Sequence, residues 1–148
     1  MEILGITKMF KKLDKDVIKG LQLAVGKPYK YNCFDLSGFD CYTLIYYLYN
    51  LNGVELPKEN IAKYNLKVHR RVIKEHLHKF SIVKFSDREA FDILLFESSS
   101  NINAHLGLML NRTHFIHANL DQTVKIEPIE ANILMASLRK VYRWKFIE

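Results

Sequence analysis

The chain has 148 residues, of which 49% are hydrophobic and 26% charged, a balance typical of one folded domain with a buried core. Its net charge of +6 is scattered, with a denser patch at residues 67–79. It lacks the interleaved basic and aromatic residues of a nucleic-acid-binding module, so we expect no nucleic-acid partner. Two cysteines cannot form a disulfide framework. Because there is no Gly/Ser linker and no internal repeat, we predict a single domain over residues 1–148.

The N-terminal segment MEILGITKMFKKLDKD has no long apolar run followed by a small-residue cleavage site, so we expect no secretory signal peptide. No stretch approaches the length of a transmembrane helix, and we expect no membrane association. The sequence therefore predicts synthesis in the cytoplasm. Any action in the periplasm or at a cell wall would need delivery by another machine.

Three segments have the residue pattern of helices. Residues 14–26 combine helical spacing with an aspartate near the start and a glycine at the end. Asp40 is placed to cap a helix that runs from Cys41 to about Asn52. The segment RRVIKEHLHKF, residues 70–80, is the third predicted helix.

The second half of the chain changes to the period of a β-sheet. Short β-rich runs are separated by turn-like residues. These runs are DILLF (92–96), HLGLML (105–110), THFIHA (113–118), TVKIEP (123–128) and KVYRWKFI (140–147). Because the helices come first and the strands follow, the predicted class is α+β, with N-terminal helices packed on a C-terminal antiparallel sheet.

Cys41 is a candidate nucleophile. It is predicted to occupy the first turn of its helix, where free backbone N–H groups and the positive end of the helix dipole favour the thiolate, the attacking species. A free cysteine is, however, more often a small buried apolar residue. Position alone favours that reading, and only a nearby base would favour catalysis.

Two histidines on neighbouring predicted strands supply a candidate base. His105 and Gly107 share one strand face, and the leucines of HLGLML share the other, which we expect to face the core. The glycine leaves room for something to approach the histidine. If the hairpin turns around Asn111 with a three-residue loop, His105 and His117 are directly opposite, with Cβ atoms about 4.5–5.5 Å apart. With a two-residue loop they are diagonal and still within reach.

Such a pair suits a catalytic imidazole that is oriented by a second polar residue. A histidine taken alone is more often an ordinary surface or core residue. The histidines for which we expect no catalytic role are His69, His76, His78 and His114.

A zinc site is the rival use of Cys33, Cys41, His105 and His117. Seven residues separate the two cysteines, whereas structural zinc sites usually have two to four between paired ligands. We therefore expect no metal and no other cofactor.

The segment GKPYKYNCFDLSGFDCYTLIYYLYNLNGVELP (26–57) resembles the core motif of the NlpC/P60 cysteine peptidases, which are papain-like hydrolases of bacterial cell-wall peptides. The family pattern runs Gly-x-Pro-Tyr-x-Tyr, a short loop, Asp-Cys, an apolar helix and Gly-x-x-Leu-Pro. The matching residues are Gly26, Pro28, Tyr29, Tyr31, Gly38, Asp40, Cys41, Gly53, Leu56 and Pro57. FDILLF resembles the family's Gly-Asp-x-x-x-Phe strand with Phe91 in place of the glycine, HLGLML resembles its His-x-Gly strand, and FIHA the strand after it. The resemblance covers roughly residues 20–146 and implies a papain-like, NlpC-type fold.

The resemblance also implies roles for single residues. Cys41 would be the nucleophile, His105 the general base and His117 the third member that orients it. Tyr29 matches a tyrosine whose hydroxyl lies beside the nucleophile, and the backbone N–H of Cys41 would contribute to an oxyanion hole. Asp40, in the Asp-Cys pair, and Tyr42, directly after the cysteine, belong to the same implied oxyanion and substrate-binding set.

The chain departs from the family pattern at two places beside the nucleophile. Asn32 and Cys33 stand where the family usually has Gly-Gly, so we expect Cys33 to be a substituted loop residue with a spare thiol and not half of a disulfide. Tyr42 and Thr43 stand where the family usually has Ser-Gly, and the serine helps shape the substrate pocket in many members. A bulky aromatic residue there resembles members carried in phage tails, and a protein without a signal peptide fits that subgroup or an effector exported by a contractile secretion machine. The expected partners are then tail or secretion-machine proteins.

The function implied by the resemblance is hydrolysis of a peptidoglycan stem peptide between D-glutamate and the diamino acid. Two alternatives stay open, namely an amidase or acyltransferase that uses the same triad on another substrate, and a non-catalytic structural component of a phage tail. Lys27, Lys30 and Arg112 are expected to rim the cleft, where they would meet the carboxylates of a wall peptide.

Overall fold

The structure is a computed structural model that describes residues 3–58, 77–97, 104–120 and 122–145. The α-helices of the described ranges are α1 (Ile3–Met9), α2 (Lys15–Ala24) and α3 (Cys41–Leu51). The side chain of Asp14 caps α2 by accepting a hydrogen bond from the backbone N–H of Asp16. Within those ranges, no helix is long and apolar enough to cross a membrane.

The strands form a single six-stranded sheet in which every pairing is antiparallel. They are β1 (Phe80–Val83), β2 (Ile93–Glu97), β3 (Ala104–Met109), β4 (His114–His117), β5 (Lys125–Pro128) and β6 (Leu138–Trp144). Their order across the sheet is β1-β6-β2-β3-β4-β5. The three strands β3, β4 and β5 are therefore neighbours in both sequence and space.

Each face of the sheet is covered by an apolar cluster. Leu106 and Leu108 of β3 pack into the main core with the helices. Met109 and Phe115 point to the other face, where a 3-10 turn at Ile133–Ser137 lies over them. The prediction that the leucine face of β3 meets the core is confirmed, and His105 lies on the second face because side chains alternate along a strand.

The predicted α+β class is confirmed, as are helices at residues 14–26 and 41–52 and the five predicted strands, whose ends shift by a few residues. The sequence did not reveal α1 or β1. The predicted helix over residues 70–80 is wrong at its end, because Leu77–Lys79 form a single 3-10 turn and Phe80 begins β1. Residues 70–76, together with most of the basic patch, lie outside the described ranges. The edge strand β1 depends on pairing with the distant β6, a contact that local residue patterns do not contain.

Candidate active site

Cys41 is the first residue of α3, and a capping box holds this end of the helix. Asp40 Oδ1 accepts hydrogen bonds from the backbone N–H groups of Tyr42 at 2.9 Å and Thr43 at 2.8 Å, and the Thr43 hydroxyl accepts one from the Asp40 N–H at 2.9 Å. Asp40 Oδ2 accepts a further bond of 2.7 Å from the N–H of Asn32. Asp40 therefore anchors the loop to the helix that carries the candidate nucleophile, while its predicted contact with substrate stays a prediction.

The Cys41 thiol is buried, with 8% of the residue exposed. Burial, and after it the Asp40 carboxylate, raises the pKa of the Cys41 thiol to about 12, although backbone hydrogen bonds that include one from Leu106 oppose this rise. The helix start does favour the thiolate as expected, because hydrogen bonds from the backbone of Cys41 and Tyr42 lower the pKa of the thiol, but burial and the Asp40 carboxylate outweigh them. The N–H groups of Tyr42 and Thr43 also bond Asp40, whose negative charge disfavours a second anion beside it. The contact with Leu106 also places the thiol against β3, at the residue that follows His105.

His105 and His117 form a direct hydrogen bond on the second face of the sheet. Nε2 of His105 lies 2.9 Å from Nδ1 of His117, and the ring planes are inclined by 72°. In the sheet His117 pairs with Gly107, so the two histidines are diagonal neighbours. The directly opposite arrangement is wrong, and the diagonal alternative occurs.

The hairpin loop explains the register. Leu110 donates to the His114 carbonyl, so the loop is residues 111–113. Asn111 Oδ1 accepts hydrogen bonds from the N–H groups of Thr113 and His114 at 2.9 and 2.8 Å, an Asx-type turn. The loop has three residues, as one alternative required, but it is centred one residue later than Asn111 and this moves the pairing to the diagonal.

Aromatic rings fill the space that Gly107 leaves open. A Cβ on Gly107 would lie 2.9 Å from Cδ2 of Phe115. Phe115 stacks on His117 with ring centroids 4.6 Å apart, and Phe96 stacks on His105 at 5.8 Å. The two imidazoles are thus held by neighbouring rings, and glycine is what lets Phe115 approach β3.

Glu127 completes this side-chain network, and sequence reasoning missed it. Its Oε2 lies 2.5 Å from Nε2 of His117. Burial lowers the pKa of His117, and the hydrogen bond and charge of Glu127 oppose that effect. The alternation of TVKIEP places Glu127 on one strand face, but only the register between β4 and β5, in which Phe115 pairs with Glu127, brings it to His117.

Tyr29 and Tyr42 are held by contacts of their own. The backbone of Tyr29 forms a bridge with Phe39 and donates to the Gln122 carbonyl at 3.1 Å, which fixes the loop before α3. Tyr42 is buried, and its hydroxyl donates to the Pro57 carbonyl at 2.5 Å. These contacts give both residues a structural role, and their binding of substrate stays a prediction.

Both cysteines are free. The Cys33 sulfur lies 3.3 Å from Asp35 Oδ1 and 3.3 Å from Ser37 Oγ, both within its own loop. In the part of the chain that the structure describes, no three His, Cys, Asp or Glu side chains are grouped to hold a metal ion.

Two residues that replace glycines of the family pattern have left-handed backbone conformations, with φ of +54° at Asn32 and +70° at Phe91. Asparagine adopts this region readily, whereas a bulky aromatic residue does so at a cost. Phe91 is buried, its ring lies 5.4 Å from that of Tyr49, and its carbonyl accepts the Tyr49 hydroxyl at 2.8 Å. Aromatic packing therefore offsets the backbone strain at this position.

Lys30 and Arg112, two of the cations predicted to rim the cleft, lie in different loops. Lys30 lies in the loop before α3, where its ammonium donates to the Ser37 hydroxyl at 2.9 Å, and its place at the cleft stays a prediction. Arg112 lies in the β3–β4 loop, at the opposite end of the hairpin from the two histidines, and donates to the carbonyls of Arg88 and Ser86. The expectation that Arg112 rims the cleft is wrong.

The chain is similar in sequence and structure to proteins of one known family. The model of the NlpC/P60 family matches residues 26–143. An NlpC/P60 family protein from Bacillus cereus ATCC 10987 has a similar structure, with a TM-score of 0.65, 16% identity, and coverage of 88% of this chain and 39% of that one. A Staphylococcus aureus protein similar to a lipoprotein of the NLP/P60 family gives a TM-score of 0.60 at 17% identity, over 97% of this chain and 42% of that one. The chain thus spans about two fifths of the length of these two proteins.

The NlpC/p60 domain of the peptidoglycan hydrolase SagA is similar over nearly its whole length, with a TM-score of 0.58, 18% identity, and coverage of 97% of this chain and 99% of that one. RipD from Mycobacterium tuberculosis, a non-catalytic NlpC/p60 domain protein adapted to peptidoglycan binding, gives a TM-score of 0.54 and 14% identity over 96% of each chain. No curated protein matches the chain significantly. The family match covers most of the sequence, and the papain-like arrangement of helices and antiparallel sheet agrees with it. The chain therefore belongs to the NlpC/P60 family, whose members are typically cysteine peptidases that hydrolyse peptidoglycan and which also includes non-catalytic proteins.

Proposed function

We propose that the protein is a cysteine peptidase that cleaves peptidoglycan stem peptides between D-glutamate and the diamino acid. The observation that carries the proposal is the bonded pair His105–His117, on the strand whose next residue, Leu106, meets the Cys41 thiol. A buried nucleophile at a helix start beside an oriented imidazole is the arrangement that acyl transfer by cysteine requires. Family membership and the likeness to the SagA domain support the substrate class.

The raised pKa of Cys41 decides how the nucleophile would form. A thiol with a pKa of about 12 carries its proton at neutral pH, so attack requires transfer of that proton to a base. The His105 Nε2 is bonded to His117, which assigns the other ring nitrogen, Nδ1, to the thiol. Sulfur then attacks the amide carbonyl carbon, and the backbone N–H of Cys41 stabilises the oxyanion. His105 returns the proton to the leaving amine and activates the water that hydrolyses the thioester.

A purely structural or binding role is the second candidate, and RipD is a relative of that kind. The retained combination of Cys41, His105 and His117 favours catalysis, because a binding domain needs neither the thiol nor the imidazole pair. An amidase or acyltransferase would use the same three residues on a different acyl donor or acceptor. Only the products of the reaction separate these enzymes from the peptidase.

The proposal of a phage-tail or exported-effector member rests on Tyr42 after the nucleophile. In such a protein, delivery to the cell wall would come from tail or secretion-machine partners. The ring of Tyr42 is buried and its hydroxyl is bonded to the Pro57 carbonyl. In the place of the usual serine, the chain therefore has a packed aromatic residue.

The test is digestion of purified muropeptides followed by mass measurement of the products. The wild type should release fragments that end in γ-D-glutamate, and Cys41→Ala should release none. Cys33→Ala is the matched control, because it removes the other buried thiol of the same loop region and should leave the products unchanged. Fragments cut at another bond would overturn the specificity, and equal digestion by Cys41→Ala would overturn the mechanism.

A further inference from the structure

Glu127 lies at the end of a continuous hydrogen-bonded chain of side chains. The chain runs from Glu127 Oε2 to His117 Nε2 at 2.5 Å and from His117 Nδ1 to His105 Nε2 at 2.9 Å. His117 is almost fully buried, whereas the Glu127 side chain on β5 is 38% exposed. The chain therefore links a partly solvated carboxylate to His105, the residue before the one whose backbone meets the Cys41 thiol.

Hydrogen-bond chemistry allows one direction along this chain when both imidazoles are neutral. A carboxylate can only accept, so His117 Nε2 carries the proton. A neutral imidazole has one N–H, so His117 Nδ1 accepts, and His105 Nε2 must donate to it. The lone pair of His105 is then at Nδ1, the atom that must take a proton from the Cys41 thiol.

We propose that Glu127 is a positioning residue that fixes the tautomers of His117 and His105 and so makes His105 Nδ1 the base. The proposal rests on the proposed function in one respect, that His105 is the base for Cys41. It assigns to Glu127 a role that acts through His117, with no contact between Glu127 and substrate.

The negative charge of Glu127 also favours the protonated form of His105, after His105 has taken the proton from the thiol. Transfer from the thiol turns His105 into an imidazolium, and the bonded His117 can pass part of that charge toward the carboxylate. Burial lowers the pKa of His117, as does the nearby charge of Lys125 on the neighbouring strand β5, and Glu127 opposes both. Among the residues that the structure describes, the titratable groups that face His117 from the neighbouring strands are Lys125 and Glu127 of β5 and His105 of β3.

The experiment uses the full chain and needs no wall substrate. Glu127→Ala removes the acceptor and the charge, whereas Glu127→Gln keeps a carbonyl acceptor of the same shape. Glu89→Gln is the matched control, because it removes an exposed carboxylate that contacts Arg143 and neither histidine. The readouts are ¹⁵N NMR of the imidazoles, which reports tautomer and titration midpoint, and the rate at which iodoacetamide alkylates Cys41.

The wild type should show both histidines protonated at Nε2 when neutral. Glu127→Ala should show a mixture of His117 tautomers, a midpoint lower by about one pH unit, and alkylation of Cys41 slower by about tenfold at pH 7, since a hydrogen bond to a charged group is commonly worth such a factor. Glu127→Gln should restore the tautomer and part of the rate. If Glu127→Ala fails to fold, the nearly isosteric Gln variant still reports the charge through the midpoint.

Unchanged tautomers and alkylation in Glu127→Ala would overturn the proposal, as would an equal loss of rate in Glu89→Gln. A wild type that cleaves no muropeptide while its alkylation depends on Glu127 would refute the proposed function and leave this inference standing. If muropeptides are cleaved while alkylation of Cys41 does not depend on Glu127, the proposed function stands and this inference is refuted.

Discussion

His105→Ala should make Cys41 a very poor nucleophile, because His105 is the base that the proposed mechanism assigns to the thiol. The pKa of the thiol rises from its ordinary value of 9.0 to about 12, which at pH 7 means about a thousandfold less thiolate than an ordinary cysteine has. A more basic thiolate attacks faster, with a Brønsted coefficient of about 0.4–0.5. The net loss of rate relative to an ordinary cysteine is therefore about 30- to 60-fold. With His105 to accept the proton, the wild-type thiol should react at least as fast as an ordinary cysteine, so we expect His105→Ala to lower the rate by at least this factor.

The assay is the pH dependence of iodoacetamide alkylation, in a Cys33→Ala background so that only Cys41 is labelled. In His105→Ala the rate should rise about tenfold per pH unit up to about pH 12, since the thiol must ionise unaided, whereas the wild-type rate should rise less steeply. His114→Ala is the matched control, because His114 contacts Phe10 and Thr113 and lies at the other end of the hairpin. Equal rates for His105→Ala and the wild type at pH 7 would refute the reasoning.

The remaining predictions concern roles and stability. His117→Ala should lower single-turnover rates less than Cys41→Ala, because an orienting residue forms no bond to substrate; equal loss would contradict this. Asp92→Asn should lower the free energy of unfolding in urea by about 2–3 kcal/mol, less than the roughly 3–5 of a fully buried pair, because Asp92 is 1% exposed but its bidentate partner Arg143 is 31% exposed. Phe91→Gly should destabilise by about 2–3 kcal/mol, since losing a buried ring outweighs relief of the φ of +70°; a more stable variant would contradict it.

The parts of the fold that the sequence predicts are those determined locally. The aspartates at positions 14 and 40 accept hydrogen bonds from N–H groups two or three residues on, so the starts of α2 and α3 can be identified from a few neighbouring residues. The strands from β2 onward show alternation that a single segment reveals. The β1 strand is different, because FSIV becomes a strand only through pairing with β6, more than fifty residues later in the chain.

The candidate site likewise has residues that the sequence predicts and contacts that depend on distant strand pairing. Cys41, His105 and His117 could be chosen from the sequence because their spacing matches a known motif. The diagonal register could not, since it depends on how the Asn111 side chain shapes the loop. Glu127 could not either, because its meeting with His117 requires the register of two strand pairs together. The direction of the Cys41 pKa was misjudged because the sequence places the residue at a helix start but does not show that burial and the charge of Asp40 outweigh the hydrogen bonds of that helix start.

The central claim is that Cys41 attacks the γ-D-glutamyl carbonyl of a wall peptide, and trapping the acyl-enzyme tests it most directly. Muropeptides are mixed with the wild-type protein, the reaction is quenched in acid within its first turnover, and the peptide that contains Cys41 is weighed. The account predicts an adduct on Cys41 whose added mass equals that of the stem-peptide fragment ending in γ-D-glutamate less one water, with no adduct on Cys33. A wild-type protein that releases products without any adduct on Cys41, or an adduct on Cys33 alone, would contradict it.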